Sequence, residues 1–464
     1  MRFPYAEVEI RSTGEIHDDA QRRAAVELVA SSGATDVLVL CHGWNNDIPA
    51  ARRLYQRLTD NMAAVRPAVP GAASRTLAVV GVLWPSIRWS DEDEVAGGGV
   101  AVADEATALV GAIAAQVEDP GRAALLTGLV PELTGSAEAR QRFLDLLRQQ
   151  LPGTPASAGT AAGIGTPDGI GTPDGGGTPA AEARAAEARE VDEDAPPSAL
   201  LHGDAETVFQ AVGGPEVDFG LPERAGGAAD GVLGPPVGAA TGGAAGFGFD
   251  LDSMLAKARG VLNVTTYYTM KDRAGTVGSG GVATLLPQLA GASPSGVRLH
   301  LAGHSFGARA LAAAAVRHPR LHSYTLLQGA FSHHAFAENF NGRGENGHFR
   351  SLLSGRQLAG PMLVTHTVND RAVGLAYAAA SRLARQAGAG LGDANDPYGG
   401  IGRNGALKTP EAVQPGVDLL EVGGGYQFQP GRVHNLRADR FVSSHGDVSG
   451  RQVAYALYCA ISVQ

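Results

Sequence analysis

The chain has 464 residues, a net charge of −10 and two cysteines, with a pI near 5.7. That length fits two or three average domains, or one large α/β domain with insertions. The acidic balance argues against a partner held through a phosphate backbone, so no nucleic acid is expected.

At most one disulfide is possible. Cys41, set in an apolar run, reads as a buried free thiol, which fits a reducing, cytoplasmic compartment. The opening MRFPYAEVEIRSTGE has no basic region followed by an apolar one, and no apolar run is long enough to span a bilayer. Neither a secretory leader nor a transmembrane anchor is expected.

Residues 5–10 read as a first strand, and 18–30 as a helix with Asp18 or Asp19 as N-cap. The continuous apolar run DVLVLC (36–41) is a strand buried on both faces. Residues 49–65 are helical with Pro49 in the first turn, and 77–84 form another buried strand. Strands follow at 297–302, 323–328 and 361–367, each trailed by a helix or loop. This alternation predicts a mostly parallel, doubly wound sheet.

Roughly 210 residues separate Trp84 from Val297, far more than one crossover needs. Within them 100–117 and 137–151 read as helical. The stretch 152–180 carries the repeat GTPDGI, GTPDGG, GTPA, whose Gly and Pro density cannot bury a core, so it reads as a disordered tether. The charged run 181–194 reads as a solvated helix, 213–248 as irregular, and a crossover helix begins near Asp250. The resulting division is core at 1–90, helical insertion or lid at 91–151, Gly/Pro-rich insertion at 152–249, and core again at 250–464.

The chemistry concentrates at VRLHLAGHSFGARAL, residues 297–311. A strand leads into Gly303-His304-Ser305-Phe306-Gly307, and a small-residue helix follows that Pro319 stops. A G-x-S-x-G between strand and helix holds a serine at the tip of a sharp turn. The two glycines leave room where a Cβ would meet backbone. A serine hydroxyl needs a base, and the base an orienting acid.

Asp370, at the end of MLVTHTVND, has the right type just past the C-terminal edge of a strand, where ligand chemistry collects. It could equally cap the next helix. His445, in SSHGD before a final helix starting near Gly450, is the candidate base. His434 reads as a hairpin residue, His304 should point away from the base, and Asp447 should cap the last helix. An oxyanion needs backbone donors. The N–H of Phe306 supplies one, and that of Trp44, in Cys41-His42-Gly43-Trp44-Asn45-Asn46-Asp47, the other.

Gly43, His304 and Tyr268 are the candidate substrate-binding residues. Lys271 and Arg273 either line the pocket mouth or pair with nearby carboxylates. No G-x-G-x-x-G follows a strand, and neither His333-His334 nor His17-Asp18 has ligands at metal spacing, so no cofactor or metal is expected.

CHGWNND, GHSFGARAL, HTVNDRAVG and SSHGD, in this order, resemble the α/β-hydrolase superfamily, in particular its bacterial serine esterase/lipase-like branch. The resemblance covers residues 1–90 and 250–464 and not the insertion. Many such enzymes carry a lid after the strand that follows the elbow, whereas here the large insertion precedes the elbow strand. The resemblance implies a Ser305-Asp370-His445 triad acting on a small-molecule or lipid ester. The alternatives are a lipase, peptidase or thioesterase variant of the same mechanism, or a catalytically silent scaffold whose insertion binds a partner.

Overall fold

The computed structural model describes residues 1–44, 47–86, 105–152, 190–191, 195–212, 248–293, 296–318, 320–373, 383 and 399–463. The tandem repeat, most of the 213–248 stretch, Asn45, Asn46 and Pro319 lie outside the described residues.

Strand β2 (Asp36–Cys41) is buried at every position. Val37, Val39 and Cys41 enter the core on one face of the sheet, Leu38 and Leu40 the core on the other. Each fully buried Val or Leu contributes about 1.5–3 kcal/mol, and a chain segment with no polar face has only the middle of a sheet to occupy. Around β2 lie β1 (Tyr5–Glu9), β3 (Leu77–Leu83), β4 (Arg298–His304), β5 (Ser323–Leu327), β6 (Met362–His366), β7 (Val417–Asp418) and β8 (Val433–Arg437). They form one eight-stranded sheet in the order β1-β3-β2-β4-β5-β6-β8-β7. All of its ladder pairings are parallel.

Helices cover both faces. One core contains α1 (Asp19–Ser31), α8 (Gly248–Val277), α9 (Ala283–Ala290) and α10 (Phe306–Ala315); the other contains α2 (Ile48–Val65) and α11 (Arg451–Ile461). The N-cap of α1 is one of the two acids the sequence offers. The Asp18 carboxylate accepts from Ala20 N–H ahead of α1, and Asp47 accepts from Ala50 N–H ahead of α2, whose first turn holds Pro49. The fold is thus α/β with a parallel sheet, in agreement with the sequence pattern.

The described residues of the insertion form helices packed on the core. Helices α3 (Glu105–Gln116), α4 (Pro120–Leu129), α5 (Ala137–Arg148), α6 (Ser198–His202) and α7 (Ala205–Val212) bury Leu109, Ile113, Phe143, Leu200 and Phe209 in the same core as α8. Polar ties reinforce this. Gln116 Nε2 donates to Asn263 Oδ1 at 2.9 Å, Thr269 Oγ1 to the Gln150 carbonyl at 3.1 Å, and Arg273 pairs with Glu118 at 2.5 Å. Arg273 therefore follows the ion-pair alternative.

Two expectations are corrected. Glu190–Val191, inside the run read as a helix, pair as a short parallel strand with Asn346–Gly347. Between the Gly/Pro-rich stretches, Leu200, Val208, Phe209 and Val212 give α6 and α7 a buried apolar face. His434 is no hairpin residue: it lies on β8, which runs parallel to β6, and its Nε2 accepts from Gln429 N–H at 3.0 Å.

Candidate active site

The chain places β3 and then β4 on opposite sides of β2, so the loops leaving β2 and β4 part at their C-terminal ends. A crevice opens at such a switch point, and it is where ligands bind in open α/β sheets. Gly43 follows β2 and Ser305 follows β4.

Ser305 is the single residue between β4 and α10 and has φ 55° and ψ −125°. A non-glycine residue held there stores on the order of 1–3 kcal/mol of strain. Its N–H donates to the Leu327 carbonyl of β5 at 3.1 Å, which pins the turn to the sheet. The flanking glycines have the expected reason. A Cβ on Gly303 would lie 2.5 Å from the Ala308 Cα, and one on Gly307 would fall on the carbonyl oxygens of Cys41 and His42. Phe306 begins α10, so its N–H has no partner one turn earlier in the helix and sits at the positive end of the helix dipole.

The loop after β2 reaches the serine. A Cβ on Gly43 would lie 2.5 Å from the Ser305 Cβ. His42 shapes this approach. Its Nε2 accepts the Trp84 N–H at 3.2 Å, so Nδ1 carries the proton and donates to the Gly43 carbonyl at 2.9 Å. The Trp84 indole N–H donates to the His42 carbonyl at 2.9 Å, and the two rings stack at 5.7 Å. Burial lowers the His42 pKa to about 4, outweighing the Gly43 hydrogen bond. The ring is therefore neutral and holds this one tautomer.

Trp44 faces Phe306 with ring centroids 6.1 Å apart, and Phe306 faces Tyr267 at 5.1 Å. Tyr268, the predicted substrate residue, is 5% exposed. It packs on Tyr267 at 5.3 Å and under the Lys271 ammonium at 5.7 Å. Its neighbour on α8, one residue and about 100° round the helix, is the ring that meets the elbow.

Asp370 is fully buried and uses both oxygens. Oδ2 accepts from His445 Nδ1 at 2.9 Å, and Oδ1 accepts from Val373 N–H at 3.0 Å, capping the helical turn that begins at Arg371. The turn carrying it is stitched to the chain leading to His445. Asp439 Oδ1 accepts from Thr367 Oγ1 at 2.8 Å and from Val368 N–H at 3.0 Å, and Asn369 Nδ2 donates to the carbonyls of Asp439 and Val442 at 3.1 and 2.9 Å.

The His445 side chain is 22% exposed. Burial alone would lower its pKa, but the charge of Asp370 and the hydrogen bond to it prevail, and the pKa is raised. With Nδ1–H given to the carboxylate, Nε2 is the nitrogen left to act as a base. Asp447 does not cap the last helix. Its Oδ2 accepts from Ser443 N–H at 3.1 Å and Oγ at 2.9 Å, closing the His445 loop on itself. Gly450 fills the cap position of α11 instead.

His304 does not turn away from the base. Its Nε2 donates to the His445 carbonyl at 2.9 Å, and the two ring centroids are 4.9 Å apart. The last residue of β4 sits at the sheet edge, where the His445 loop crosses, and that crossing decides its partner.

No local pattern in the sequence marks Asn369 or Asp439 for a role at this site. A second Asp-His-Ser line lies at the other end of the sheet. Asp36 Oδ1 accepts from His300 Nε2 at 2.9 Å, and His300 Nδ1 accepts from Ser323 Oγ at 2.7 Å. Arg75 and Arg298 pair with the same carboxylate at 3.2 and 2.7 Å. Burial lowers the His300 pKa against the pull of Asp36. Asp36 and Ser323 are 0% exposed and His300 1%, so no substrate reaches this line, and it ties β2, β4 and β5 together. No protein-family model, curated protein or solved structure matches the chain.

Proposed function

We propose that the chain is a serine hydrolase of the α/β-hydrolase fold, cleaving a carboxylic ester through an acyl-enzyme. The observation that carries the reading is the 2.9 Å hydrogen bond from His445 Nδ1 to the buried Asp370. It occurs at the same sheet edge as a serine in a strained strand-to-helix turn. The structural Asp36-His300 pair differs here, for its serine, Ser323, lies in a regular strand and not in a strained turn.

In this reading Ser305 Oγ attacks the acyl carbon while His445 Nε2 takes its proton. Asp370 stays ionised, holds the ring and stabilises the imidazolium. The N–H groups of Phe306 and Trp44 receive the charge on the carbonyl oxygen. Collapse of the tetrahedral intermediate breaks the ester C–O bond, and the imidazolium protonates the departing alkoxide. Water, deprotonated by His445, then attacks the acyl-serine, and Ser305 Oγ leaves with the proton.

The test is labelling by a fluorophosphonate probe, comparing wild type with Ser305→Ala. Labelling abolished by the substitution supports the reading and opens a series of p-nitrophenyl esters of rising chain length. A folded wild type that takes no label favours the second reading, a binding scaffold. The observation on that side is that Ser305 is only 4% exposed.

A further inference from the structure

We propose that His304 is a positioning residue, fixing the loop that presents the candidate base by donating its Nε2–H to the main-chain carbonyl of His445. The inference rests on the serine-hydrolase reading above.

A carbonyl oxygen only accepts, so the 2.9 Å contact places the His304 proton on Nε2 and leaves Nδ1 as a lone pair. That Nδ1 is buried with no hydrogen-bond partner among the described residues, and a Cβ on Gly43 would lie 3.1 Å from it. An orphaned buried acceptor is unfavourable. An apolar side chain would fill the same space without that penalty. What an apolar side chain cannot supply is the donor to His445.

The need for that donor follows from the topology. Ser305 stands on β4 and α10, two regular elements. His445 stands in a loop beyond β8, three strands away in sheet order. Its hydrogen bond to Asp370 and the Asn369 bonds to Asp439 and Val442 tie that loop to the end of β6. The His304 bond ties it to the elbow itself, one residue from the nucleophile. A misplacement of about 1 Å between reacting groups costs on the order of 100-fold in rate, so a direct tie between the serine and the base loop has a kinetic consequence. Burial and the nearby His445 also keep the His304 pKa at about 3, so the ring neither competes as a base nor repels the imidazolium.

The experiment uses the full chain and three readouts: the rate of fluorophosphonate labelling, its pH dependence, and the Tm. Gln at this position reaches the same carbonyl with an amide N–H, whereas Met matches the length without a donor. We expect His304→Gln to label within about threefold of wild type. We expect His304→Met to label roughly 30- to 100-fold more slowly. In His304→Met the midpoint of the pH profile should fall toward 6.5, the ordinary imidazole value, as His445 loosens from Asp370.

Labelling of His304→Met at the wild-type rate overturns the proposal. So does a His304→Gln protein that melts like wild type yet labels more than tenfold slower, an outcome readable even if the Met variant does not fold. A wild type that takes no label overturns the hydrolase reading and this inference with it. Labelled wild type with an indifferent Met variant overturns this inference alone.

Discussion

Asp370 and His445 share a hydrogen bond of 2.9 Å in which the acid commits only one of its two oxygens; the other receives Val373 N–H at 3.0 Å. The two jobs respond differently to substitution. In Asp370→Asn the amide oxygen keeps the cap, because Asn is as good an N-cap as Asp, and the amide NH2 is left facing His445 Nδ1. The imidazole must then take the other tautomer, with its proton on Nε2, and it cannot accept one from Ser305. The expected outcome is a fall of about 10³–10⁴ in kcat/KM on a p-nitrophenyl ester with the Tm within about 2 °C of wild type. Asp370→Ala should lose both activity and about 1 kcal/mol from the missing cap. Ester kinetics and thermal melts on the two variants separate these roles.

Gly43 bears on Ser305 without touching the chemistry itself. The methyl added by Gly43→Ala would lie 2.5 Å from the Ser305 Cβ and 3.1 Å from the His304 carbonyl oxygen, and neither can yield because the elbow is pinned to β5. The loop must move instead, carrying the Trp44 N–H away from the developing oxyanion. Loss of one such donor costs on the order of 10²–10³ in kcat, and labelling should slow by that factor. Gly135→Ala, where a Cβ meets nothing within 4 Å, is the matched control and should label like wild type. Equal labelling by both variants would remove the loop from the oxyanion site.

Whether a feature was legible in the sequence followed from what each residue contacts. Val37 to Cys41 and Val79 to Leu83 are apolar because both faces of their strands are covered, so a continuous run was enough to find them. Asp370 was legible because a strand end and a helix start coincide there. Strand β8 was not, since His434 and Asn435 break its apolar run. Asn435 is 8% exposed only because it exchanges hydrogen bonds with the Ala406 backbone at 2.8 and 3.1 Å, a partner 29 residues away. The partner of His304 and the Asp36-His300-Ser323 line are hidden for the same reason. They depend on which strands lie side by side, and no local pattern carries that.

The titration of His445 sets a direction for the pH profile. Its raised pKa means that the imidazolium, which cannot accept a proton, persists above 6.5. The rate of labelling should therefore rise with pH through a midpoint above 6.5. In Asp370→Asn the charge and the charged hydrogen bond are gone while burial remains, so the midpoint of the residual rate should fall below 6.5. A midpoint unmoved by the substitution would mean that Asp370 does not govern His445.

Stability carries the opposite sign where imidazoles are buried neutral. His42 titrates at about 4 in the folded chain and near 6.5 when unfolded. As pH falls through 6.5 the unfolded chain binds the proton first, and stability is lost until the folded value is reached. From pH 8 to pH 5 this amounts to roughly 2 kcal/mol for such a shift. His304, at about 3, adds a loss of the same sign. The salt bridge of His445 works the other way, its contribution being present below 6.5 and lost as pH rises through the raised folded value. Burial lowers His300 and His322 as well, so the depressed rings outnumber the raised one and the Tm should drop between pH 7 and pH 5. A Tm flat across that interval would contradict the burial of His42 and His304 as neutral rings.

The Asp36-His300-Ser323 line has the hydrogen-bond pattern of a catalytic triad and none of the access, which makes it a control for the functional reading. Ser323→Ala leaves His300 Nδ1 without the 2.7 Å donor it has now, and a buried group deprived of its partner costs about 1–3 kcal/mol. We expect the Tm of Ser323→Ala to fall by several degrees while fluorophosphonate labelling at 25 °C stays within twofold of wild type. Ser305→Ala should show the reverse, no label and a Tm within about 2 °C of wild type, since Ala keeps the Cβ that sets the cost of φ 55°. Mass spectrometry of the labelled peptide decides between the two serines directly. Label on the peptide containing Ser323 would transfer the chemistry to the opposite end of the sheet and require that end to open.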